Sequence, residues 1–188
     1  MPRVVRLAPA LFVVLALSAI TLGLWAIANR PMAEPPWPAE VAGYAYSPYR
    51  ADQSPLENRH PSAEDIRADL ALLATQTRRI RTYSVAGILG DIPALAAPLG
   101  MKVTAGAWLS ADLAQNAVEI DRLVDIANAN PNVDRVIVGN ETLLREELSV
   151  EQLLDYVQYV QARVNVPVST AEPWDHWLAD RALAEQCD

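Results

Sequence analysis

The sequence predicts an α/β fold, a (β/α)8 TIM barrel represented by about five βα units and preceded by one transmembrane helix. Three observations carry this. Residues 7–28 form an unbroken apolar run without charge. From residue 41 onward, strand-like and helix-like segments alternate, as they do in a parallel sheet with helical crossovers. The repeat is about 30 residues, near the spacing of an eight-unit barrel of about 250 residues. The alternative, a doubly wound open sheet, usually opens with a G-x-G-x-x-G turn. Here the first strand runs into Tyr46-Ser47-Pro48-Tyr49 instead.

The apolar run belongs to a first segment, residues 1–30. At a helical rise of 1.5 Å, the run Leu7 to Ala28 is about 33 Å long, enough to cross a bilayer. Arg3 and Arg6 precede it, and the positive-inside rule keeps that end cytoplasmic. The remainder is then expected outside the cytoplasmic membrane, periplasmic or extracellular. A cleaved signal peptide is the rival reading, because Ala26-Ile27-Ala28 has small-x-small character, but signal cores are shorter. Residues 31–40, PMAEPPWPAE, hold four prolines and read as a stiff linker. Trp37 within it is expected at an interface or packed beneath the domain.

Residues 41–188 carry the alternating pattern. VAGYAYS (41–47) reads as a strand. Ser62 to Asp65 is a capping box opening a helix with Ile66, Leu70 and Leu73 on one face. RRIRTYS (78–84) reads as a second strand, and residues 92–99 as a short helix interrupted by Pro93 and Pro98. MKVTAGAWL (101–109) is the third strand. A helix follows over 111–129, with Leu113, Ala117, Ile120, Val124 and Ala127 at helical spacing. VDRVIVGN (133–140) is the fourth strand. Ser149 and Gln152 cap a helix that turns Leu153, Val157, Val160 and Val164 inward. VPVST (166–170) is the fifth strand and Trp174 to Gln186 a fifth helix. Five units do not close an eight-stranded barrel. The sequence is therefore expected to be the N-terminal part of a larger domain.

Charge narrows the partners. The formal net charge is −8, and three of the 15 basic residues, Arg3, Arg6 and Arg30, lie in or beside the apolar segment. The remaining surface repels nucleic acid and anionic lipid, while a neutral polymer is indifferent to it. A single cysteine, Cys187, leaves no intrachain disulfide to form. With two histidines and no Cys/His cluster, neither a metal site nor an organic cofactor is expected.

Barrel chemistry sits at the C-terminal ends of the strands. Those ends bring Tyr46 and Tyr49, Tyr83, Trp108, the pair Asn140-Glu141, and Glu172 with Trp174 to one rim. Flat aromatic faces stack on sugar rings and a few polar groups fix hydroxyls. Glu141 directly follows a buried-type strand, where a carboxyl group can act as an acid if partial burial keeps it protonated. Arg78, Arg79 and Arg81 read as strand-flanking solubility or ion-pair residues. Arg50 and Asp52, on the first loop, are weaker candidates for substrate contact. Asp175 and His176 read as a hydrogen-bonded loop.

The stretch Val138-Gly139-Asn140-Glu141 resembles the fourth-strand motif of glycoside hydrolase family 17, retaining enzymes of β-1,3-glucan. GYAYSPYRADQSP (43–55), IRTYS (80–84) and STAEPWDHW (169–177) resemble the corresponding strand ends in the bacterial branch of that family. The resemblance implies Glu141 as the catalytic acid/base and Asn140 as the residue binding the 2-hydroxyl of the sugar at the scissile bond. It implies Tyr83 and Trp174 as cleft wall. It places the nucleophile on a later strand, so no residue here takes that role. Tyr46, Trp108 and Glu172 complete the substrate-binding candidates, Glu172 as a cleft-lining group. The implied activity is hydrolysis of β-1,3-glucan by double displacement. The alternatives are a β-1,3-glucan transglycosylase working beside membrane glucan synthesis, or an inactive sugar-binding fragment.

Overall fold

The computed structural model describes residues 7–36, 38 and 41–188. Trp37, Arg3 and Arg6 lie outside the described residues. Two compact units separate at Pro38 and Ala39.

The first unit is one helix, α1 (Leu7–Ala28), with no charged residue in its first or last turn. Apolar side chains such as Phe12, Leu17, Leu22 and Trp25 stand out around its circumference with no polar face between them. By length and composition it is able to cross a membrane. It ends where Asn29 returns both its backbone and side-chain amide to the Trp25 carbonyl, each at 2.9 Å.

The second unit is a five-stranded, wholly parallel sheet in the order β1 (Tyr44–Ala45), β2 (Arg79–Arg81), β3 (Lys102–Ala107), β4 (Val133–Asn140), β5 (Val168–Ala171). Every strand pairs with its neighbour in sequence, the order of a barrel wall. A doubly wound sheet would reverse direction partway. The crossovers are α2 (Ala63–Leu73), α3 (Ile92–Ala96), α4 (Leu113–Ala129) and α5 (Val150–Gln161), with α6 (Trp174–Ala179) and α7 (Arg181–Gln186) after β5. Ile66, Leu70, Ile80, Val103, Leu123, Val136, Leu153 and Val157 form a continuous core between helices and sheet, each fully buried.

Both expected capping boxes form. Ser62 accepts from the Asp65 amide at 3.1 Å while Asp65 accepts from the Ser62 amide at 3.2 Å. Ser149 and Gln152 do the same at 3.2 and 2.9 Å. Reciprocal caps satisfy helix-end donors that would otherwise be orphaned.

Four expectations are corrected. The first two strands shrink to Tyr44–Ala45 and Arg79–Arg81, although Tyr46 and Thr82 still donate to the neighbouring strand at 2.8 and 3.0 Å before the chain enters the rim loops. The short helix expected over 92–99 is a single turn, Ile92–Ala96, between 3-10 turns at Gly87–Asp91 and Ala97–Leu99. The fifth helix is two. Asp180 is extended (φ −128°, ψ 106°) and its carboxylate caps the second piece through the Ala182 amide at 2.9 Å. On α4, Leu113 is exposed and Ala117 is too, while Asn116, Glu119, Ile120 and Leu123 face inward. The inward face takes polar residues because the strand-end loops beside it hold amides that need acceptors.

Two glycines shape the strand ends. Gly106 lets β3 approach β2, where an added Cβ would lie 2.4 Å from the Thr82 carbonyl oxygen. Gly139 has φ +81° next to a shift in the β4–β5 register between Ile137 and Asn140. Such an irregularity re-aims the residues that follow it, here Asn140 and Glu141.

Candidate active site at the C-terminal rim

The strands deliver their C-terminal ends to one rim. A cleft of about 860 Å³ opens over the ends of β1, β2 and β3, lined by Tyr46, Tyr49, His60, Tyr83 and Trp108 among others. Tyr46 is almost fully buried, and its hydroxyl donates to Asp69 at 3.1 Å. Burial, reinforced by the Asp69 charge and that hydrogen bond, holds its hydroxyl far above the ordinary tyrosine range. Tyr49 bonds the His60 ring at 2.9 Å, and burial pushes its hydroxyl upward too. Arg50 is committed to ion pairs with Asp65 and Asp69 at 3.5 and 3.0 Å.

Asn140 and Glu141 flank this cleft on the β4 side and are not part of its lining. Glu141 is anchored to the next strand, its amide donating to the Ala171 carbonyl at 2.7 Å. Its φ is +52°, a left-handed conformation uncommon for a residue with a side chain. Glu141 is exposed, on the turn that follows the strand.

Asn140 is held from two directions. Its Oδ1 accepts from Arg81 at 2.7 Å, which leaves Nδ2 as the donor for a ligand. Its carbonyl accepts from Arg145 at 3.0 Å. Arg145 also donates to the Leu109 carbonyl at 2.7 Å, lies 4.3 Å over the Trp108 ring and pairs with Glu147 at 2.6 Å. Stacking and bidentate donation suit a guanidinium and not an ammonium. Arg145 thereby ties the Trp108 platform to the Asn140-Glu141 turn.

Arg81, expected as a strand-flanking solubility or ion-pair residue, instead turns toward the candidate site. It is half-buried, bonds Asn140 and sits 5.0 Å from the Tyr83 ring centroid. Arg79 does form the expected strand-flanking ion pair, with Asp134. Strand parity was the available signal for Arg81. Residues 81 and 83 share one face of an extended strand, and Tyr83 was already placed on the rim.

Two carboxylates serve the rim from beneath. Glu119 of α4 is buried, and its Oε1 accepts from Ser84 Oγ at 2.6 Å, the Val85 amide at 2.9 Å and the Trp108 amide at 3.2 Å. Glu172, after β5, accepts from the amides of Thr142, Leu143 and Leu144 at 2.7, 3.1 and 3.4 Å. Trp174 opens α6 and is 74 % exposed, outside the cleft lining. Among the described residues no group of three or more His, Cys, Asp and Glu side chains is placed to hold a metal ion.

A parallel α/β wall presenting aromatic faces and carboxylates at the C-terminal ends of its strands is the arrangement of barrel enzymes that act on sugars. Residues 43–188 match the BtgE/BtgC glycoside hydrolase domain, and the chain belongs to that family. It is 25% identical over 163 residues to the glucan endo-1,3-beta-glucosidase btgC of Emericella nidulans, covering 78% of this chain and 25% of that protein. It is 30% identical over 126 residues to a glucan 1,3-beta-glucosidase of Schizosaccharomyces pombe, covering 61% of this chain and 39% of that protein. A crystal structure of the glycoside hydrolase family 17 beta-1,3-glucanosyltransferase from Rhizomucor miehei superposes with a TM-score of 0.66 at 25% identity, over 78% of this chain and 54% of that one. An active-site mutant of the same enzyme, in complex with laminaritriose, matches equally well. The chain thus spans a quarter to two-fifths of these curated relatives and about half of the solved chain. These relatives are fungal.

Proposed function

We propose that the protein carrying this chain is a retaining glycoside hydrolase of β-1,3-glucan, with Glu141 as its acid/base. The observation that carries the reading is the Asn140-Glu141 pair at the end of β4, beside an aromatic cleft, in a chain of a glycoside hydrolase family. In double displacement Glu141 protonates the departing glycosidic oxygen while a second carboxylate attacks the anomeric carbon. Glu141 then takes a proton from the water that releases the sugar. Residues 41–188 offer no assigned nucleophile. Asn140 donates through Nδ2 to the sugar 2-hydroxyl, Tyr83, Trp108 and Trp174 supply stacking surface, and the buried Tyr46 shapes the cleft floor beneath them. The strand-end wording of GYAYSPYRADQSP and STAEPWDHW supports a place in the bacterial branch of family 17.

The test is Glu141→Ala in the full-length protein, assayed on laminarin. Turnover should fall by at least roughly a hundredfold, with partial rescue by azide on activated aryl glucosides. Unchanged turnover sinks the assignment.

The glucanosyltransferase among the solved neighbours favours a second reading, in which a sugar hydroxyl replaces water as acceptor. Incubation with concentrated laminaritriose separates the two: longer oligosaccharides mark transfer, and shorter ones alone mark hydrolysis. Binding of laminaritriose without any turnover would instead fit an inactive sugar-binding chain. We further read α1 as a membrane anchor that holds the domain outside the cytoplasmic membrane. Carbonate washing should leave the protein in the membrane pellet, and release would favour a cleaved signal.

A further inference from the structure

We propose that Glu172 is a positioning residue for Glu141: it holds the turn that carries the acid/base and sets the direction in which that carboxyl group points. The inference rests on the reading of Glu141 above. Its ground is the local backbone. The β4–β5 register shifts just before Asn140, Gly139 has φ +81° and Glu141 φ +52°. A left-handed residue with a side chain persists where its surroundings over-determine it.

The restraints on Glu141 are few and specific. Its amide bonds Ala171 at 2.7 Å, and its carbonyl accepts the Arg145 amide at 2.9 Å. The next three amides, of Thr142, Leu143 and Leu144, all point at the Glu172 carboxylate, two at Oε1 and one at Oε2. Thr142 and Leu143 are buried, so those two amides have no water to turn to. Charged acceptors bind such amides more strongly than neutral ones. Glu172 is itself fixed from behind, its carbonyl accepting from the Trp177 indole at 3.0 Å. With both oxygens committed to the backbone of the Glu141 turn, Glu172 acts on the reaction through Glu141 and not by touching sugar.

The leaving group distinguishes this role. Laminarin has a poor leaving oxygen that needs the acid, whereas dinitrophenolate departs without one. The experiment compares wild type, Glu141→Ala, Glu172→Ala and Glu172→Gln in the full-length protein. Each is assayed for kcat and KM on laminarin and for first-turnover dinitrophenol release from 2,4-dinitrophenyl β-laminaritrioside. Glu172→Ala should lower kcat on laminarin about a hundredfold, the cost of a misplaced catalytic group, while first-turnover dinitrophenol release changes by less than about threefold. Glu172→Gln keeps one acceptor oxygen and should recover most of the loss. Should the alanine variant not fold, the glutamine variant carries the test, with the same unequal loss on the two substrates expected at smaller size. Equal losses on both substrates, or a raised KM with kcat intact, would overturn the proposal. A Glu141→Ala variant as active as wild type, or a wild type inactive on both substrates, would instead fail the underlying reading and take this one with it.

Discussion

Arg81 and Asn140 are joined by a 2.7 Å hydrogen bond that spans an entire strand: Arg81 lies on β2, Asn140 ends β4, and β3 runs between them. The guanidinium also lies beside the Tyr83 ring, so one side chain couples that ring to the Asn140 amide. Arg81→Met keeps the bulk of the stem and removes the donor. On the proposed function it should lower kcat/KM on laminarin roughly ten- to a hundredfold, the worth of a charged hydrogen bond. Arg81→Lys should recover little, since an ammonium cannot stack and donate in the same plane. Steady-state kinetics of the two variants check this.

Gly139 cannot carry a side chain without moving its surroundings. A Cβ there would lie 2.6 Å from Thr142 Oγ1 and 3.1 Å from Leu153, at a φ of +81°. Gly139→Ala should therefore destabilise the domain by about 2 kcal/mol or more, from backbone strain and overpacking together. Urea unfolding of the variant measures it.

Glu119 offers a contrast between two substitutions. Glu119→Ala strands the amides of Val85 and Trp108 and should cost about 2–6 kcal/mol, since each buried unsatisfied donor costs roughly 1–3. Glu119→Gln retains an acceptor oxygen and should cost about 1 kcal/mol. A quenched or shifted Trp108 fluorescence in the alanine variant alone would report that the platform has moved.

Tyr46 links stability to alkaline pH. Its hydroxyl titrates above the ordinary value of 10.0 because burial, with Asp69 beside it, penalises the phenolate. The folded state thus holds that proton more tightly than the unfolded chain. The stabilisation is fully present below pH 10 and is lost as pH rises beyond it. Tyr46→Phe should be less stable than the parent by about 1 kcal/mol at pH 8, for the lost hydrogen bond. The gap should narrow at pH 11, where the parent's unfolded state gains from ionising. Denaturant titrations of both proteins at the two pH values decide it, and an unchanged gap would refute the linkage.

Much of the architecture was legible in the sequence because it rests on period and on caps. Ser62, Ser149 and the apolar stripe of α5 are local signals, and the structure uses each as local chemistry requires. The rim positions of Tyr46, Tyr83, Trp108, Asn140 and Glu172 followed from counting strand ends. The residues that connect those ends carry no such local signal. Glu119 is charged and lies in an amphipathic helix, which gives no hint that it is turned inward toward three donors in two other loops. Arg145 sits in a loop without periodicity, and its value lies in the Trp108 ring and the Leu109 carbonyl, which the loop after β3 brings to it. Long-range polar satisfaction leaves no period in the chain. The break before α7 is hidden for a simpler reason, since a capping aspartate within a helical pattern reads as one more polar position.

The strict β1-β2-β3-β4-β5 order has a kinetic meaning. Each strand finds its partner one crossover away, so no pairing waits for a distant part of the chain to arrive. Closing short loops costs less entropy than closing long ones, and contacts near in sequence form sooner. A chain emerging N-terminus first can add each strand to the edge left by the one before it. The exposed edge at every stage is the seat of the next unit, and the domain grows in the direction in which it is made.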